Sequence, residues 1–249
     1  MLYLHYILEA TKKNEQKENN NIGMDLEKLK QQYIKDDLKI TKEYGRVFSF
    51  IDFGNVNKWF DKDAQDWDNK LLPKNQRLTI DIKKLKNFAD IFSDRVRCYY
   101  GRNPKNKGSA LFCYALEKVF DKIDFVWKDL QKIKHYLELE EKETTKLFKT
   151  DDDGKDYIEI RKCNFDVEIS VDAIKMLKHY DTFFLFSGDA DFVYLNNFLR
   201  KKGKKIILIK AGYITTKLRK SADLIINAQR VKKHIAKIKQ RPDKSGLCG

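Results

Sequence analysis

The sequence predicts an α/β protein whose central, mainly parallel sheet is covered by helices on both faces. Short apolar runs typical of buried strands alternate along the chain with segments whose apolar residues recur every three or four positions. Strands and helices that alternate in this way form parallel sheets with crossover helices. Separately, 51 Lys and Arg residues against 37 Asp and Glu residues give a formal net charge of +14, which favours a polyanionic partner such as nucleic acid.

The predicted strands are short, continuous apolar runs. The first, residues 47–51, ends at Asp52 and has the composition of a strand buried on both faces. Similar runs predict strands at residues 96–100, 125–127, 182–186, 206–209 and, as the last strand, 224–226.

The predicted helices lie between these strands and show the 3.6-residue period. Helices are predicted at residues 80–92, 110–120, 167–177 and 191–202. In the third of them Val167, Val171 and Ile174 share one face, which we expect to be its apolar stripe.

The chain organisation follows from shifts in composition. Residues 1–44 form a polar extension, partly helical because Leu26, Leu29 and Tyr33 are spaced three and four apart. The α/β domain is expected at 45–228, with a charged insertion at about 129–161 whose Asp-Gly sequence at 153–154 predicts a hairpin tip. Residues 229–249 are expected to be a basic helix and tail, in which Val231, Ile235 and Ile238 would pack on the domain.

Acidic and polar side chains follow two of the predicted strands directly. Asp52 and then Asn55 follow the first strand, and Ser187, Asp189 and Asp191 follow the strand at 182–186. Ligands of open parallel sheets bind outside the carboxyl ends of the strands. Carboxylates gathered there repel one another unless a hard cation binds, and Mg²⁺ and Mn²⁺ prefer oxygen ligands. Individually, each acid could be a helix cap or a solvated loop residue, and Asn55 and Ser187 could be turn formers.

The helix after the insertion contributes further acids. Asp166 stands at its start, where capping is the alternative to metal binding. Asp172 is six residues later and points in a different direction on a regular helix. We therefore expect Asp166 to be a metal ligand and Asp172 to act on the surrounding groups or on water.

Other kinds of site are not indicated by the sequence. No Gly-rich phosphate loop follows a predicted strand, and the four histidines lie away from the strand ends. The four cysteines lack C-x-x-C spacing, which favours reduced thiols in a cytoplasmic protein. No apolar run is long enough to cross a membrane, so no membrane partner is expected. The oligomeric state is not encoded in a readable pattern.

Four segments in this order resemble the motifs of the NYN domain family of PIN-like nucleases, over about residues 45–228. They are Phe-Ile-Asp-Phe-Gly-Asn at 50–55, Asp-Val-Glu-Ile-Ser-Val-Asp-Ala at 166–173, the segment 184–195 around Ser-Gly-Asp-Ala-Asp-Phe, and Leu-Arg-Lys-Ser-Ala-Asp at 218–223. Two departures are visible. Cys-Asn-Phe at 163–165 stands where many members have Lys-Gly-Val, so that Lys162 would replace the missing charge, and the insertion is longer than in compact members.

The resemblance implies a three-layer α/β/α PIN-like (Rossmannoid) fold and a divalent-metal nuclease site. It assigns metal-binding and catalytic roles to Asp52, Asp166, Asp189 and Asp191, supported by Asn55, Ser187 and Asp172. The expected activity is hydrolysis of phosphodiester bonds with Mg²⁺ or Mn²⁺, as an endoribonuclease acting on RNA. The alternatives are a non-catalytic RNA-binding or regulatory PIN-like module, a DNA nuclease and a phosphatase acting on small phosphoesters, the last of which leaves the +14 charge unexplained.

Nucleic acid would bind through basic side chains, because the acidic site itself repels it. The candidates are Arg102, Lys105 and Lys107 after the strand at 96–100, then Lys217, Arg219 and Lys220, and the basic tail. Tyr99 and Tyr100 would either stack on a base or be buried in the core.

Overall fold

The computed structural model describes residues 26–138 and 148–241. The chain divides into two compact units, Met1–Tyr44 and Gly45–Gly249. In the first unit a helix at 26–37, α1, precedes a 3-10 turn at Lys42–Tyr44, and Leu26, Leu29 and Tyr33 are exposed. The beginning of the predicted extension, the middle of the insertion, Cys248 and the end of the basic tail lie outside the described residues.

The described residues of the second unit form three sheets. Its strands are β1 (Val47–Asp52), β2 (Gln76–Ile80), β3 (Arg95–Arg102), β4 (Phe125–Asp129), β5 (Gln131–Tyr136), β6 (Lys149–Thr150), β7 (Asp156–Lys162), β8 (Thr182–Phe186), β9 (Lys205–Lys210), β10 (Leu224–Asn227) and β11 (Ala236–Gln240). The central sheet has the order β10-β9-β8-β1-β3-β4, and all its described pairs are parallel. The small sheets are antiparallel, with orders β11-β2 and β5-β7-β6.

Helices occupy the connections between the parallel strands, and one more helix follows the last of these strands. They are α2 (Phe53–Val56), α3 (Ile82–Asp90), α4 (Lys107–Phe120), α5 (Asp166–Lys175), α6 (Val193–Lys201), α7 (Thr216–Lys220) and α8 (Ala228–Ile235). A 3-10 turn at Ala190–Phe192 precedes α6. None of the helices in the described ranges is long and apolar enough to cross a membrane.

The central sheet is buried on both faces because successive residues of each strand point to opposite sides. Phe48 and Phe50 of β1 belong to a cluster with Ile169 of α5 and Leu195 of α6 on one face. On the other face the ring of Phe88, from α3, lies 6.5 Å from that of Phe186. Helices therefore cover both faces of a six-stranded parallel sheet, and the predicted three-layer α/β/α class is confirmed.

The apolar face predicted for α5 was wrong. Val167, Val171 and Ile174 are exposed, whereas Ile169 and Ala173 are fully buried against the sheet. Both sets have helical spacing, and the smaller set packs inward. Periodicity alone could not choose between two adjacent stripes.

The basic C-terminal segment is only partly helical. The predicted helix ends at Ile235, and Ala236–Gln240 forms strand β11 against β2, so the strand predicted to be last is followed by another. Val231 and Ile235 are buried as expected, but Ile238 lies in β11 and is 39% exposed. The partner strand β2 falls in a region for which no strand was predicted.

The described part of the insertion forms a three-stranded sheet. Strand β5 pairs with β7, and β6 pairs with the other edge of β7. The predicted hairpin tip lies between β6 and β7, where the N–H of Gly154 donates to the carbonyl oxygen of Asp151 at 3.0 Å. Gly154 has a φ of +76°, a conformation that glycine adopts without steric cost.

Replacing the N-cap residue of α3, Asp81, with Ala is expected to lower the free energy of unfolding by about 1–2 kcal/mol. Its Oδ1 accepts from the N–H groups of Lys83 and Lys84 at 3.0 and 3.1 Å, and its Oδ2 lies 3.2 Å from Nζ of Lys237 in β11. Asp81→Asn keeps the cap and loses only the half-exposed ion pair with Lys237. We therefore expect this variant to lower the free energy of unfolding by about 0.5 kcal/mol. Urea unfolding measures both, and equal losses would contradict a capping role.

The Asp81 contribution also depends on pH. Burial alone would raise the pKa of Asp81, but the N–H donors of Lys84 and Lys83 and the ammonium of Lys237 outweigh burial and lower it. Because the folded-state pKa lies below the unfolded value, the stabilisation is complete above about pH 4 and is lost as the pH falls further.

Candidate active site

A cleft of about 640 Å³ opens at the carboxyl ends of β1, β3 and β8. The strand register places the ends of β1 and β8 level, since Ile51 pairs with Phe186. Strand β3 extends three residues past Tyr99, the partner of Asp52. The walls come from the start of α2, the end of β3, the segment 162–166 and the turn after β8. The side chains that follow three neighbouring strands therefore converge on one space, as the open-sheet rule predicts.

Three carboxylates meet in this cleft. Asp166, Asp189 and Asp191 each offer an oxygen, and these oxygens all lie within 4.8 Å of one another. The trio combines the first residue of α5 with two residues of the turn after β8. Two of the predicted strand-end acids and the predicted helix acid are thus brought together.

Local hydrogen bonds hold the trio in place. Oδ1 of Asp189 accepts from the N–H of Asp191 at 3.1 Å and caps the 3-10 turn. The N–H of Asp166 donates to Oδ1 of Asn164 at 2.9 Å, so the backbone before α5 is fixed by Asn164. Asp166 does not itself cap α5, whose N-cap residue is Phe165. Its carboxylate is not engaged as a helix cap, which was the structural alternative to metal binding.

Asp52 lies beside the trio and is held on both oxygens. Oδ1 accepts from the N–H of Asn55 at 3.3 Å, and Oδ2 accepts from Oγ of Ser187 at 3.2 Å. Burial raises the pKa of Asp52 despite these donors, and the negative charge of Asp189 adds to the effect. Ser187 follows Phe186 in β8, which explains its position opposite Asp52.

Among the described residues, no lysine or arginine forms an ion pair with Asp166, Asp189 or Asp191. Burial raises the pKa of Asp166 to about 6, and the charges of Asp189, Asp191 and Asp52 contribute in the same direction. Carboxylates that repel one another in a partly buried site fit a divalent cation, which accepts several oxygen ligands. The donor set is entirely oxygen and therefore suits Mg²⁺ or Mn²⁺ better than a metal that prefers nitrogen or sulfur.

Asn55 connects the two turns that carry the acids. Its Oδ1 accepts from Nε1 of Trp59 at 2.9 Å and from the N–H of Gly188 at 3.2 Å. Both partners are obligate donors, so the orientation of the Asn55 amide is determined. The Trp59 ring in turn stacks on Phe186, with 8° between the ring planes. Asn55 thus fixes the start of α2 relative to β8 and keeps amide N–H donors at the cleft wall.

Asp172 lies elsewhere. Its Oδ2 accepts from Nη2 of Arg97 and from the hydroxyl of Tyr99, each at 2.9 Å. Among the described residues that line the cleft, Asp172 is absent. The six-residue spacing from Asp166 turned its side chain toward β3, as helical geometry requires. The structure therefore does not support the supporting role predicted for Asp172 at the metal site.

The predicted nucleic-acid-binding residues lie outside the cleft lining in the described structure. Arg102 binds Asp129 at 2.7 and 3.1 Å, and its guanidinium lies 4.1 Å from the Trp127 ring centre. Its guanidinium is therefore already paired with a carboxylate. The other predicted cations are exposed: Lys105 and Lys107 near the start of α4, and Lys217, Arg219 and Lys220 on α7.

Two lysines that were not assigned to nucleic-acid binding line the acidic cleft. They are Lys58, after α2, and Lys162, at the end of β7. Both side chains are exposed, and neither has a carboxylate partner among the residues that the structure describes. The resemblance pointed to Lys162 as a replacement charge. Lys58 lies in a polar connection in which nothing in the sequence distinguishes it.

The tyrosines at the end of β3 differ in exposure. Tyr99 is fully buried and its hydroxyl is bound to Asp172, which excludes base stacking in this structure. Tyr100 lines the cleft, and its hydroxyl lies 3.0 Å from Oγ of Ser109. Tyr100 therefore remains a candidate for contact with a ligand.

The fold and the site together define a PIN-like α/β/α protein with an acidic, metal-compatible centre at the carboxyl edge of its sheet. The family model of the NYN domain matches residues 66–229, and the chain belongs to that family. The family indicates a nuclease-like function related to RNA, and its nucleases use divalent metals. The matched segment begins after β1, so the assignment of Asp52 and Asn55 to the site depends on the structure.

Two individual proteins are similar to parts of this chain. The protein is 32% identical over 99 residues to the low amplitude and bright protein LabA of Synechococcus elongatus. The aligned segment covers 39% of this chain and 52% of the relative. The chain therefore spans about half the length of this curated relative. A solved structure of a protein of unknown function from Vibrio parahaemolyticus aligns with 79% of this chain and 99% of its own, with 16% identity and a TM-score of 0.48.

Proposed function

We propose that this protein is a divalent-metal-dependent endoribonuclease whose active site is the acidic cleft. The observation that carries the proposal is the convergence of the Asp166, Asp189 and Asp191 oxygens within 4.8 Å at the carboxyl edge of the sheet. Such a cluster is costly for a folded protein unless a cation compensates it. Membership of the NYN family supports RNA as the substrate.

The trio would hold the cation, with Asp52 as a fourth carboxylate of the site. Each Asp52 oxygen accepts one hydrogen bond in the structure, and a carboxylate oxygen has a further lone pair available. A bound Mg²⁺ or Mn²⁺ would lower the pKa of the attacking water and place positive charge beside the departing oxygen. Ser187, which is fully buried, keeps Asp52 oriented.

The remaining groups of the cleft would bind and position the RNA. Lys58 and Lys162 offer the cationic side chains that an acidic site needs in order to accept a polyanion. The amide N–H donors of Asn55 can donate to a phosphate oxygen, because its Oδ1 already accepts two hydrogen bonds. The chain thus supplies carboxylates for the metal and separate donors for the substrate.

Removal of the metal is expected to stop RNA cleavage completely. The test incubates purified protein with end-labelled single-stranded RNA in Mn²⁺, in Mg²⁺ and in EDTA, and resolves the products on a denaturing gel. Internal products in either metal and intact RNA in EDTA are expected. DNA of matched sequence serves as the comparison, and equal cleavage of both would identify a nuclease without preference for RNA.

The opposite result would assign the protein to another class. If RNA stays intact in every metal while the protein still binds it in a salt-sensitive way, the cleft is a binding site and the catalytic proposal is wrong. Salt-sensitive binding indicates phosphate contacts and does not require hydrolysis.

A further inference from the structure

A second, smaller concavity of about 230 Å³ adjoins the acidic cleft. It lies between β4 and the insertion sheet, and it shares Lys162, Cys163 and Asn164 with the cleft. We call it the side pocket, lined by these three residues and by Lys128, Gln131 and Ile133. Its volume is below the roughly 300–1,000 Å³ of complete small-molecule sites, so it suits one part of a larger ligand.

The side chains of the side pocket suit a nucleotide. Lys128 and Lys162 are cationic, Gln131 and Asn164 carry amides, and Ile133 is apolar and 45% exposed. Amides form paired hydrogen bonds with base edges, an apolar side chain packs on a base or sugar, and lysine binds phosphate. This combination is more specific than a basic patch, which would bind phosphate alone.

The two lysines differ in how much of their charge is available. Nζ of Lys128 donates to Oε1 of Glu168 at 2.5 Å and lies 4.7 Å from the Phe165 ring centre. Lys162 has no carboxylate partner within residues 26–138 and 148–241. It also stands at the boundary between the pocket and the cleft, since it lines both. Lys162 is therefore the cation placed to contact a phosphate that connects the two spaces.

The register of the insertion sheet separates this face from the opposite one. Lys162 pairs with Gln131, and Ile160 pairs with Ile133, so these four residues share a face. Lys132 belongs to the other face, where its Nζ donates to Glu159 at 2.8 Å. Lys132 and then Lys149 lower the pKa of Glu159 to about 2, so both of these lysines are already paired with an acid.

We propose that the side pocket binds the nucleotide next to the scissile phosphodiester, with Lys162 contacting the phosphate that joins that nucleotide to the cleft. The proposal rests on the nuclease function proposed above and adds a determinant of which RNA is bound. The determinant lies on the insertion sheet, outside the six-stranded fold. The structure thus assigns the charged insertion to substrate recognition.

The first test compares Lys162→Gln with Lys132→Gln, two variants of the same sheet that each lose one positive charge. Binding of fluorescent single-stranded RNA is measured by anisotropy in EDTA across a series of salt concentrations. For Lys162→Gln we expect weaker binding and a slope of log K against log salt that is shallower by about 0.7, the value for one lost phosphate contact. For Lys132→Gln we expect the wild-type slope.

The second test fills the pocket without changing charge. Ile133→Trp places a larger side chain in the side pocket, whereas Tyr136→Trp adds bulk on the opposite face of the same strand. We expect weaker RNA binding for Ile133→Trp, with an unchanged salt slope, and wild-type binding for Tyr136→Trp. Thermal unfolding of both variants identifies any effect that arises from misfolding of the sheet.

Each outcome separates this inference from the nuclease proposal. If the wild type cleaves RNA and Lys162→Gln has the wild-type salt slope of RNA binding, the proposed role of the side pocket is wrong and the nuclease function stands. If the wild type does not cleave RNA, but Lys162→Gln and Ile133→Trp still weaken RNA binding as expected, the side pocket is an RNA-binding site and the nuclease proposal is wrong. Equal effects of Lys132→Gln and Lys162→Gln on RNA binding would show that only the general surface charge of the sheet matters, which would overturn the inference.

Discussion

Asp189→Asn is expected to reduce metal-dependent RNA cleavage by at least about 100-fold while leaving the fold intact. Loss of groups that merely orient metal ligands costs roughly 10- to 100-fold, and Asp189 belongs to the trio itself. Its Oδ1 also accepts from the N–H of Asp191 and caps a 3-10 turn. Asn caps as well as Asp does, so the substitution removes the charge and retains the cap. Single-turnover cleavage in Mn²⁺ measures the effect.

The same variant should lose the thermal stabilisation that metal confers. A cation bound to the folded state at about 100 times its dissociation constant adds about 2.7 kcal/mol of stability, or roughly 5–10 °C in Tm for a protein of this size. We expect that shift for the wild type in Mn²⁺ and its absence for Asp189→Asn. A full shift in the variant would show that the trio does not hold the ion.

Asp172→Asn provides the matched control, because it also neutralises one aspartate, which lies on helix α5 and does not line the cleft. Asp172 binds Arg97, whose side chain is only 14% exposed, and the buried Tyr99. The variant should therefore unfold more easily and keep the wild-type cleavage rate at temperatures where it is folded. A loss of cleavage without a loss of stability would restore the catalytic role that the sequence predicted for Asp172.

The parallel strands were predictable because burial on both faces leaves a distinctive run of apolar residues. Val47–Asp52 and Thr182–Phe186 show this pattern, and the acids that follow them were located from it. Strand β2 (Gln-Arg-Leu-Thr-Ile) and strand β11 (Ala-Lys-Ile-Lys-Gln) each alternate polar and apolar residues over only four of their five positions. Such short patterns depend on their pairing partner, which is about 160 residues away in the chain.

The chemistry of the site was predictable in kind but not in its geometry. Strand ends indicated that Asp52, Asp189 and Asp191 would gather, yet the trio is completed by Asp166 rather than by Asp52. The difference arises from the hydrogen bonds that hold Asp52 to Ser187 and Asn55, which depend on the register of β1 and β8. Neither this register nor the position of Lys58 in the cleft can be read from one chain.

Lys232→Ala is expected to lower the free energy of unfolding by about 3 kcal/mol, the lower end of the cost of removing one member of a buried ion pair. Lys232 is 8% exposed, and its Nζ lies 2.7 Å from Oδ2 of Asp63 and donates to the carbonyl oxygen of Gln65. Without Lys232, the donor left to the Asp63 carboxylate within the described residues is Nε2 of Gln229, at 3.0 and 3.3 Å. Thermal unfolding should show a decrease in Tm of about 10 °C.

Lys233→Ala is the control, since Lys233 is exposed on the same helix and should change the free energy of unfolding by less than about 0.5 kcal/mol. The double variant Lys232→Met with Asp63→Leu should recover much of the loss, because replacing both members of a buried pair with apolar residues removes the unpaired charge. A double variant as unstable as Lys232→Ala would show that the ammonium acts through its other contacts, the carbonyl oxygen of Gln65 and the ring of Phe60, whose centre is 5.8 Å from Nζ. Either way, helix α8 fixes the connection that begins at Lys58 and Trp59, so the basic C-terminal segment supports the wall of the cleft.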